Sequence, residues 1–255
     1  MRWPRLRFTV RLLLGLVVVL GCGLGWIAHK ARTQRQAVAR IKQLGGSVLY
    51  DFQEVRGGAS SSTEPRGPRW LRRLIGDELF QEVVRVQLNG LDLRGADLTC
   101  LGDFPGLKTL NLTCTDIGDD GLAQLGQLKL DRLRVLWLAD TGISDAGLAR
   151  LAALGGLENL DVAYNPVTDA GLKSFRRLGN LEELSLVRTP VEGPGLADLH
   201  RLRRLRLVDL RGSKASGAAR SELMKAVPGV HVLPSSAGAV STLEMLRAAE
   251  RRGRR

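Results

Sequence analysis

One phrase of about 24 residues recurs through most of the second two-thirds of the chain, and no other feature constrains the fold as strongly. Its best-preserved copies read LRVLWLADTGISDAGLARLAAL, LENLDVAYNPVTDAGLKSFRRL and LEELSLVRTPVEGPGLADLHRL. Units begin at Val83, Leu107, Leu133, Leu157, Leu181 and Leu205, with steps of 24, 26, 24, 24 and 24 residues. Two extra residues within 127–132 explain the longer step. A repeat of this length predicts a stack of similar supersecondary units.

Each unit carries the pattern of a strand followed by a short helix. Leu136 and Leu138 alternate, which directs both side chains to one face of a strand. A Ser/Thr-Asp pair then supplies a helix N-cap, and Leu148 and Leu151 continue as a buried stripe. Because one unit cannot bury its own leucines, neighbouring units must stack.

The units resemble leucine-rich repeats through the motif at Leu110, Leu112 and Thr115, and through its copies at Leu136, Leu138, Thr141, Leu160, Val162 and Asn165. The resemblance implies an α/β solenoid over 83–233, with about six units, parallel strands on the concave side and short helices on the convex side. In this family an asparagine hydrogen-bonds the backbone of neighbouring units. Only Asn165 is that asparagine here; a hydroxyl residue replaces it at Thr115, Thr141, Thr189 and Ser213.

A second phrase, [ST]-D-x-G-L, narrows the resemblance. It occurs at 144–148 and 168–172. It is similar to the variant found in planctomycete-type bacterial repeat proteins and in some ubiquitin-ligase adaptors.

The N-terminus predicts a transmembrane anchor. Residues 12–28 contain no charged side chain and are flanked by Arg11 and Lys30. A helix of that length spans roughly 25 Å, close to the thickness of a hydrocarbon core. Two alternatives remain open: a cleavable signal peptide, and a lipoprotein box at 19–22 that would make Cys22 the acylated residue. The numbers of positive charges on the two sides of residues 12–28 are nearly equal. A short basic N-terminal tail usually stays in the cytoplasm, which favours repeats on the extracytoplasmic side.

The sequence therefore divides into four regions. Residues 1–30 form the basic leader and anchor, and 31–82 form a juxtamembrane helix, a short strand, a loop and an N-terminal cap. In this second region we expect a helix over 31–44, a strand over 47–52, a loop over 57–68 and a capping helix near Trp70. The solenoid occupies 83–233, and 234–255 form a flexible basic tail.

Charge and composition argue against nucleic-acid binding and catalysis. The chain has 38 Lys and Arg against 26 Asp and Glu, but residues 81–240 hold 19 of each, so the excess lies at the ends. His29, His200 and His231 are far apart, and Cys100 and Cys114 lack metal-ligand spacing. We expect no enzyme activity, no cofactor and no metal site.

A binding surface remains. Strand residues that point away from the leucines line the concave face. In protein interfaces generally, Trp, Tyr and Arg contribute most of the binding energy. The predicted protein-binding patch consists of Trp137, Asp140, Asp161, Tyr164, Glu183 and Arg188.

These observations predict a single-pass, membrane-anchored bacterial envelope protein that binds an unknown protein partner. Two alternatives stay open. The repeats could face the cytoplasm as an adaptor resembling ubiquitin-ligase substrate-recognition repeats, or the chain could be a self-associating structural protein of the envelope.

Overall fold

The computed structural model describes residues 10–53, 65, 68–77 and 80–233. The helices are α1 (Val10–Gln43), α2 (Arg69–Ile75), α3 (Gly118–Leu125), α4 (Asp145–Leu148), α5 (Asp169–Leu172) and α6 (Gly217–Ala226). The strands are β1 (Ser47–Tyr50), β2 (Val83–Gln87), β3 (Thr109–Asn111), β4 (Val135–Trp137), β5 (Asn159–Asp161), β6 (Glu183–Ser185), β7 (Leu207–Asp209) and β8 (His231–Leu233). Short 3-10 helices at Asp51–Gln53, Thr99–Asp103, Ala149–Ala153, Lys173–Arg177 and Pro194–Arg201 complete the described elements.

The strands form one eight-stranded sheet in the order of the sequence. From β2 onward every pair is parallel, and each strand returns through a helical segment to the next. Equivalent residues stay in register along the stack; Leu110, Leu136 and Leu160 are paired directly. The predicted α/β solenoid with parallel strands is confirmed.

The core is the continuous leucine column predicted from the repeat. Leu110, Leu136 and Leu160 are buried with their equivalents in later units, and the convex helices add Leu148 and Phe175. Burial of a leucine side chain contributes about 1.5–3 kcal/mol, so the column supplies most of the driving force for stacking.

The N-terminal helix is longer than predicted. The predicted helix at 31–44 and the helical segment at 12–28 are one uninterrupted α1, because no helix breaker separates them before Gly45, which has φ +89°. Val38 and Ile41 are buried in the repeat core, so the C-terminal half of α1 is docked on the first unit. Gln34 strengthens the contact by donating a hydrogen bond to the carbonyl of Gln81 at 3.1 Å.

The predicted transmembrane anchor over 12–28 is not supported by the structure. No helix within the described residues is long and apolar enough to cross a membrane. The segment is helical, but the polar residues that follow from His29 belong to the same helix.

A strand pairs with the edge of the first repeat. β1 pairs antiparallel with β2, so the backbone groups at the edge of the first repeat have partners. Trp70 on α2 is 69% exposed, so this member of the predicted capping stripe does not shield the edge, and the other side chains of the stripe lie mostly outside the described residues. The strand predicted over 47–52 is confirmed over Ser47–Tyr50.

Two predicted segments fall largely or wholly outside the described residues. These are the loop over 57–68, of which only residues 65 and 68 are described, and the basic tail over 234–255. The final helix and strand before the tail are present as α6 and β8.

The [ST]-D-x-G phrase joins neighbouring repeats on the convex side. Ser144 caps α4 by accepting a hydrogen bond from Ala146 N, as predicted. In addition, Asp119 of the preceding unit accepts hydrogen bonds from Ser144 N at 2.8 Å and from Ser144 Oγ at 2.5 Å. Asp145 repeats both contacts with Thr168 at 2.8 and 2.6 Å. Each aspartate therefore fastens its own unit to the next.

Asn165 has a corresponding role inside the stack. Its Nδ2 donates to three backbone carbonyls, including Leu138 O of the preceding unit at 2.7 Å. Its Oδ1 accepts from the backbone N–H groups of Thr141 and Ile143. The hydroxyl of Thr189, by contrast, donates only to Leu186 O of its own unit. The Asn165 carboxamide thus bridges two units, whereas the Thr189 hydroxyl bonds within its own unit.

Candidate functional site: a polar groove on the concave face

A groove of about 400 Å³ runs across the strands on the concave face. Two rows of side chains line it because the sheet keeps equivalent residues in register. The central row pairs Asn111, Trp137, Asp161, Ser185 and Asp209 in sequence. The remaining lining residues are Arg85, Gln87, Asn89, Thr113, Asn159, Leu160, Glu183, Leu184 and Leu207. Ten of these fourteen lining residues are polar, and Trp137 is the one aromatic residue among them.

Three members of the predicted patch lie in this groove. Trp137 and Asp161 are half-buried and occupy directly paired positions on β4 and β5. Glu183 is exposed on β6, where its Oε2 accepts a hydrogen bond from Asn159 Nδ2 at 2.6 Å. Adjacent strands are about 4.8 Å apart, so the Trp137 indole and the Asp161 carboxylate lie side by side, and Glu183 lies on the next strand beyond Asp161.

Asp161 is held in an environment that disfavours its charge. Burial raises the pKa of this carboxyl above its ordinary value, and the nearby Asp209 carboxylate raises it further. Hydrogen bonds from Ala163 N, at 3.0 Å, and from the Ser185 side chain act in the opposite direction. Arg211 donates a hydrogen bond to the Asp209 carboxylate from Nη2 at 2.5 Å.

The other three members of the patch form a separate ridge. Asp140, Tyr164 and Arg188 follow the strands and have φ of +56°, +59° and +52°. The equivalent residues of the first and last units are Gly90 and Gly212. A left-handed backbone costs a non-glycine residue about 1–2 kcal/mol, so these side chains are kept where glycine would be more favourable.

The ridge has its own contacts. The guanidinium carbon of Arg188 lies 5.5 Å from the centre of the Tyr164 ring, a cation–π arrangement. Tyr164 also packs on a small apolar cluster of Ala139, Ala163 and Val187 beneath it. The six predicted residues therefore form two adjacent rows rather than one patch.

Some of the residues that strand alternation directs to the concave side are buried. Strand alternation points Ala139, Ala163 and Val187 away from the leucine core, but all three are buried under the ridge. Strand alternation gives the correct side of the sheet for these residues but cannot show that the ridge covers them. The aspartate contacts between units were also missed, although acidic residues about 25 positions before Ser144 and 23 positions before Thr168 were available as a signal.

The residues tested for chemistry do not converge at the groove. His200 and His231 are absent from its lining. Cys22, Cys100 and Cys114 form no disulfide within the described residues, and burial raises the pKa of Cys100. Within the described ranges, no three His, Cys, Asp or Glu side chains are placed to hold a metal ion.

Comparison with known proteins agrees with the repeat. The family model described as Leucine Rich repeat matches residues 107–126 and 157–175. No curated protein matches the chain.

Solved structures with similar architecture are distant in sequence. An internalin (inlF) from Listeria monocytogenes is similar over 60% of this chain and 40% of its own, with 18% identity and a TM-score of 0.48. A second internalin of that organism, inlC2, covers 59% and 70%, with 20% identity and a TM-score of 0.44. A leucine-rich repeat protein from Leptospira interrogans covers 53% and 39%, with 19% identity and a TM-score of 0.41. This chain spans less than half the length of the first and third.

The family model covers only two segments, but the structure repeats the same strand and helical turn on both sides of each. The matched segments and the register of the sheet together support the description of this chain as a leucine-rich repeat protein.

Proposed function

We propose that this protein binds a protein partner through the concave groove and catalyses no reaction. The observation that carries the proposal is Trp137, a large aromatic side chain half-buried in the middle of a polar groove. Tryptophan at the centre of a surface is the residue type that most often dominates binding energy. The ridge of Asp140, Tyr164 and Arg188 borders the same strands and extends the contact area.

A photo-crosslinking residue in place of Trp137 tests the proposal in the cells that produce the protein. The matched control carries the same residue in place of Ala149, which is exposed on the convex side. We expect one defined protein to be crosslinked from position 137 and not from position 149. Equal crosslinking from both positions, or none from either, contradicts the proposal. Crosslinking to a second copy of the chain favours self-association instead.

Direct binding of the identified partner gives the quantitative test. Trp137→Ala should weaken binding at least tenfold, because truncation of a central aromatic anchor costs more than about 1.4 kcal/mol. The melting temperature should remain close to that of the unmodified protein, since Trp137 lies outside the leucine core. Loss of the fold together with binding contradicts a binding role for this side chain.

We further propose that the N-terminal half of α1 attaches the protein to a membrane. Val17, Val18, Val19 and Trp26 are exposed large apolar side chains on this helix, and residues 12–28 carry no charge. Transfer of such side chains from water to lipid is favourable by about 25 cal/mol per Å². We also propose that the protein is located in a bacterial cell envelope and resembles planctomycete-type repeat proteins.

Flotation of the full chain with lipid vesicles tests the attachment. Val18→Lys with Val19→Lys should release the protein, whereas Gln43→Lys, an exposed position in the docked half of α1, should not. Flotation that is unchanged by the paired lysines contradicts the proposal. For orientation we propose repeats on the extracytoplasmic side, and digestion of a C-terminal tag by protease outside intact cells is the expected result.

A further inference from the structure

The charges in the concave groove are unevenly distributed. Arg85 lies at its first strand, whereas Asp161, Glu183 and Asp209 lie on the last three lining strands. Asp209 forms an ion pair with Arg211, whose Nε and Nη2 both donate to its carboxylate. Neither Asp161 nor Glu183 forms an ion pair with any residue that the structure describes. Two carboxylates without an ion pair therefore lie on neighbouring strands: Asp161 is directly paired with Trp137, and Glu183 lies on β6, one strand beyond Asp161.

We propose that this part of the groove binds an arginine side chain of the partner protein, stacked on Trp137 and held by Asp161 and Glu183. The inference rests on the proposed function and adds the chemistry of the ligand. A guanidinium group satisfies both requirements of the site, because its planar face stacks on an indole and its N–H groups donate in pairs to carboxylates.

The geometry favours this occupant over the alternatives. Asp161 and Trp137 are directly paired across β4 and β5, so a cation bound by the carboxylate lies beside the indole. The molecule already contains an arginine over an aromatic ring, since Arg188 lies over Tyr164 just after the ends of β6 and β5. A metal ion is a poorer fit, because no three acidic, histidine or cysteine side chains in the described ranges are close enough to bind one.

The environment of Asp161 also favours binding of a cation. Its hydrogen bonds come from Ala163 N and Ser185, and the charge that faces it is that of Asp209. An arriving guanidinium supplies the opposite charge that this half-buried carboxylate lacks. The net charge of the whole chain, +12, repels cationic ligands at long range, so a preference for arginine must arise locally.

Selection of random eight-residue peptides on the full chain tests the inference. We expect enrichment of arginine, with lysine second, in peptides that no longer bind Trp137→Ala. Replacement of the selected arginine by citrulline, which has the same shape without the charge, should weaken binding at least tenfold. Asp161→Asn should do the same, whereas Glu222→Gln, an exposed acid on α6, should have no effect.

The possible outcomes separate this inference from the proposed function. Enrichment of acidic or purely apolar peptides that depend on Trp137 overturns the arginine preference and leaves groove binding in place. Peptides that bind Trp137→Ala equally well, or a selection that enriches none, overturn both. Equal binding of the arginine and citrulline peptides also overturns the proposed charge recognition.

Discussion

Asp119 and Gly147 belong to neighbouring repeats, and the carboxylate of Asp119 occupies the space in which a Cβ on Gly147 would lie. The same carboxylate accepts two hydrogen bonds from Ser144. Asp145 and Gly171 repeat the arrangement one unit later. The glycine in [ST]-D-x-G-L is thus required by its neighbour's aspartate.

Gly147→Ala should therefore destabilise the solenoid. The added methyl group must displace Asp119, and overpacking of this kind typically lowers the free energy of unfolding by about 1–3 kcal/mol. Urea denaturation followed by circular dichroism measures the change. The control is Gly179→Ala, where a Cβ would meet open space. Equal stability of the two variants would show that Asp119 moves without cost.

Asn165→Ala should be more damaging than loss of a hydroxyl at the equivalent position. The truncation leaves the buried N–H groups of Thr141 and Ile143 without their acceptor, at a cost of about 1–3 kcal/mol for each unsatisfied group. Thr189→Val removes one hydrogen bond to Leu186 O and should cost about 1 kcal/mol. Thermal and urea unfolding of both variants provides the comparison; equal losses would contradict the bridging role of Asn165.

Asp161→Asn should stabilise the protein at neutral pH. Because burial raises the folded-state pKa of Asp161, its proton binds more tightly to the folded than to the unfolded chain. The stability contribution of this group is fully present below its ordinary pKa, about 3.9, and is lost as pH rises through the raised value. Unfolding free energies measured from pH 3 to 7 should therefore diverge in favour of the variant as pH rises.

Two neighbours make that measurement interpretable. Asn111 occupies the equivalent position on β3, where its Oδ1 accepts from Thr113 N at 3.0 Å, so an amide is compatible with this turn. Asp209→Asn is the opposing control, since it weakens the ion pair with Arg211 and should lower stability at pH 7. If both variants change stability in the same direction, the explanation for Asp161 is wrong.

Cys100 should react slowly with thiol reagents. Burial, together with the carboxylates of Asp97 and Asp103, raises the pKa of its thiol, so less thiolate is present near pH 8. Mass spectrometry after brief alkylation should find Cys100 modified more slowly in the folded chain than in the urea-unfolded chain. Faster modification of Cys100 would contradict its position against the core.

The sequence was most informative where the same environment recurs. Leu136 and its equivalents met identical surroundings in each unit, so strand register and core followed from the 24-residue period. Single features were harder to predict. β1 covers the solenoid edge because the chain reverses direction at Gly45 and Gly46, after α1 ends. This is a tertiary arrangement that no periodicity encodes.

The candidate site shows the same division. Strand alternation placed Trp137, Asp161 and Glu183 on the correct face, since it depends only on local geometry. The separation of Tyr164 and Arg188 into a ridge depends on their positive φ values, which glycine would have signalled but tyrosine and arginine do not.

The aspartate contacts on the convex side also limit how this protein can change in length. Residues 144–167 begin with Ser144, whose hydroxyl donates to Asp119 of the preceding unit, and include Asp145, which accepts from Thr168 of the next unit. A duplicated copy of that segment would meet matching groups on both sides. A copy of 192–215 would present Gly193 where the aspartate is needed. Gain of repeats by duplication is therefore favoured in the middle of the chain and disfavoured near its C-terminal end.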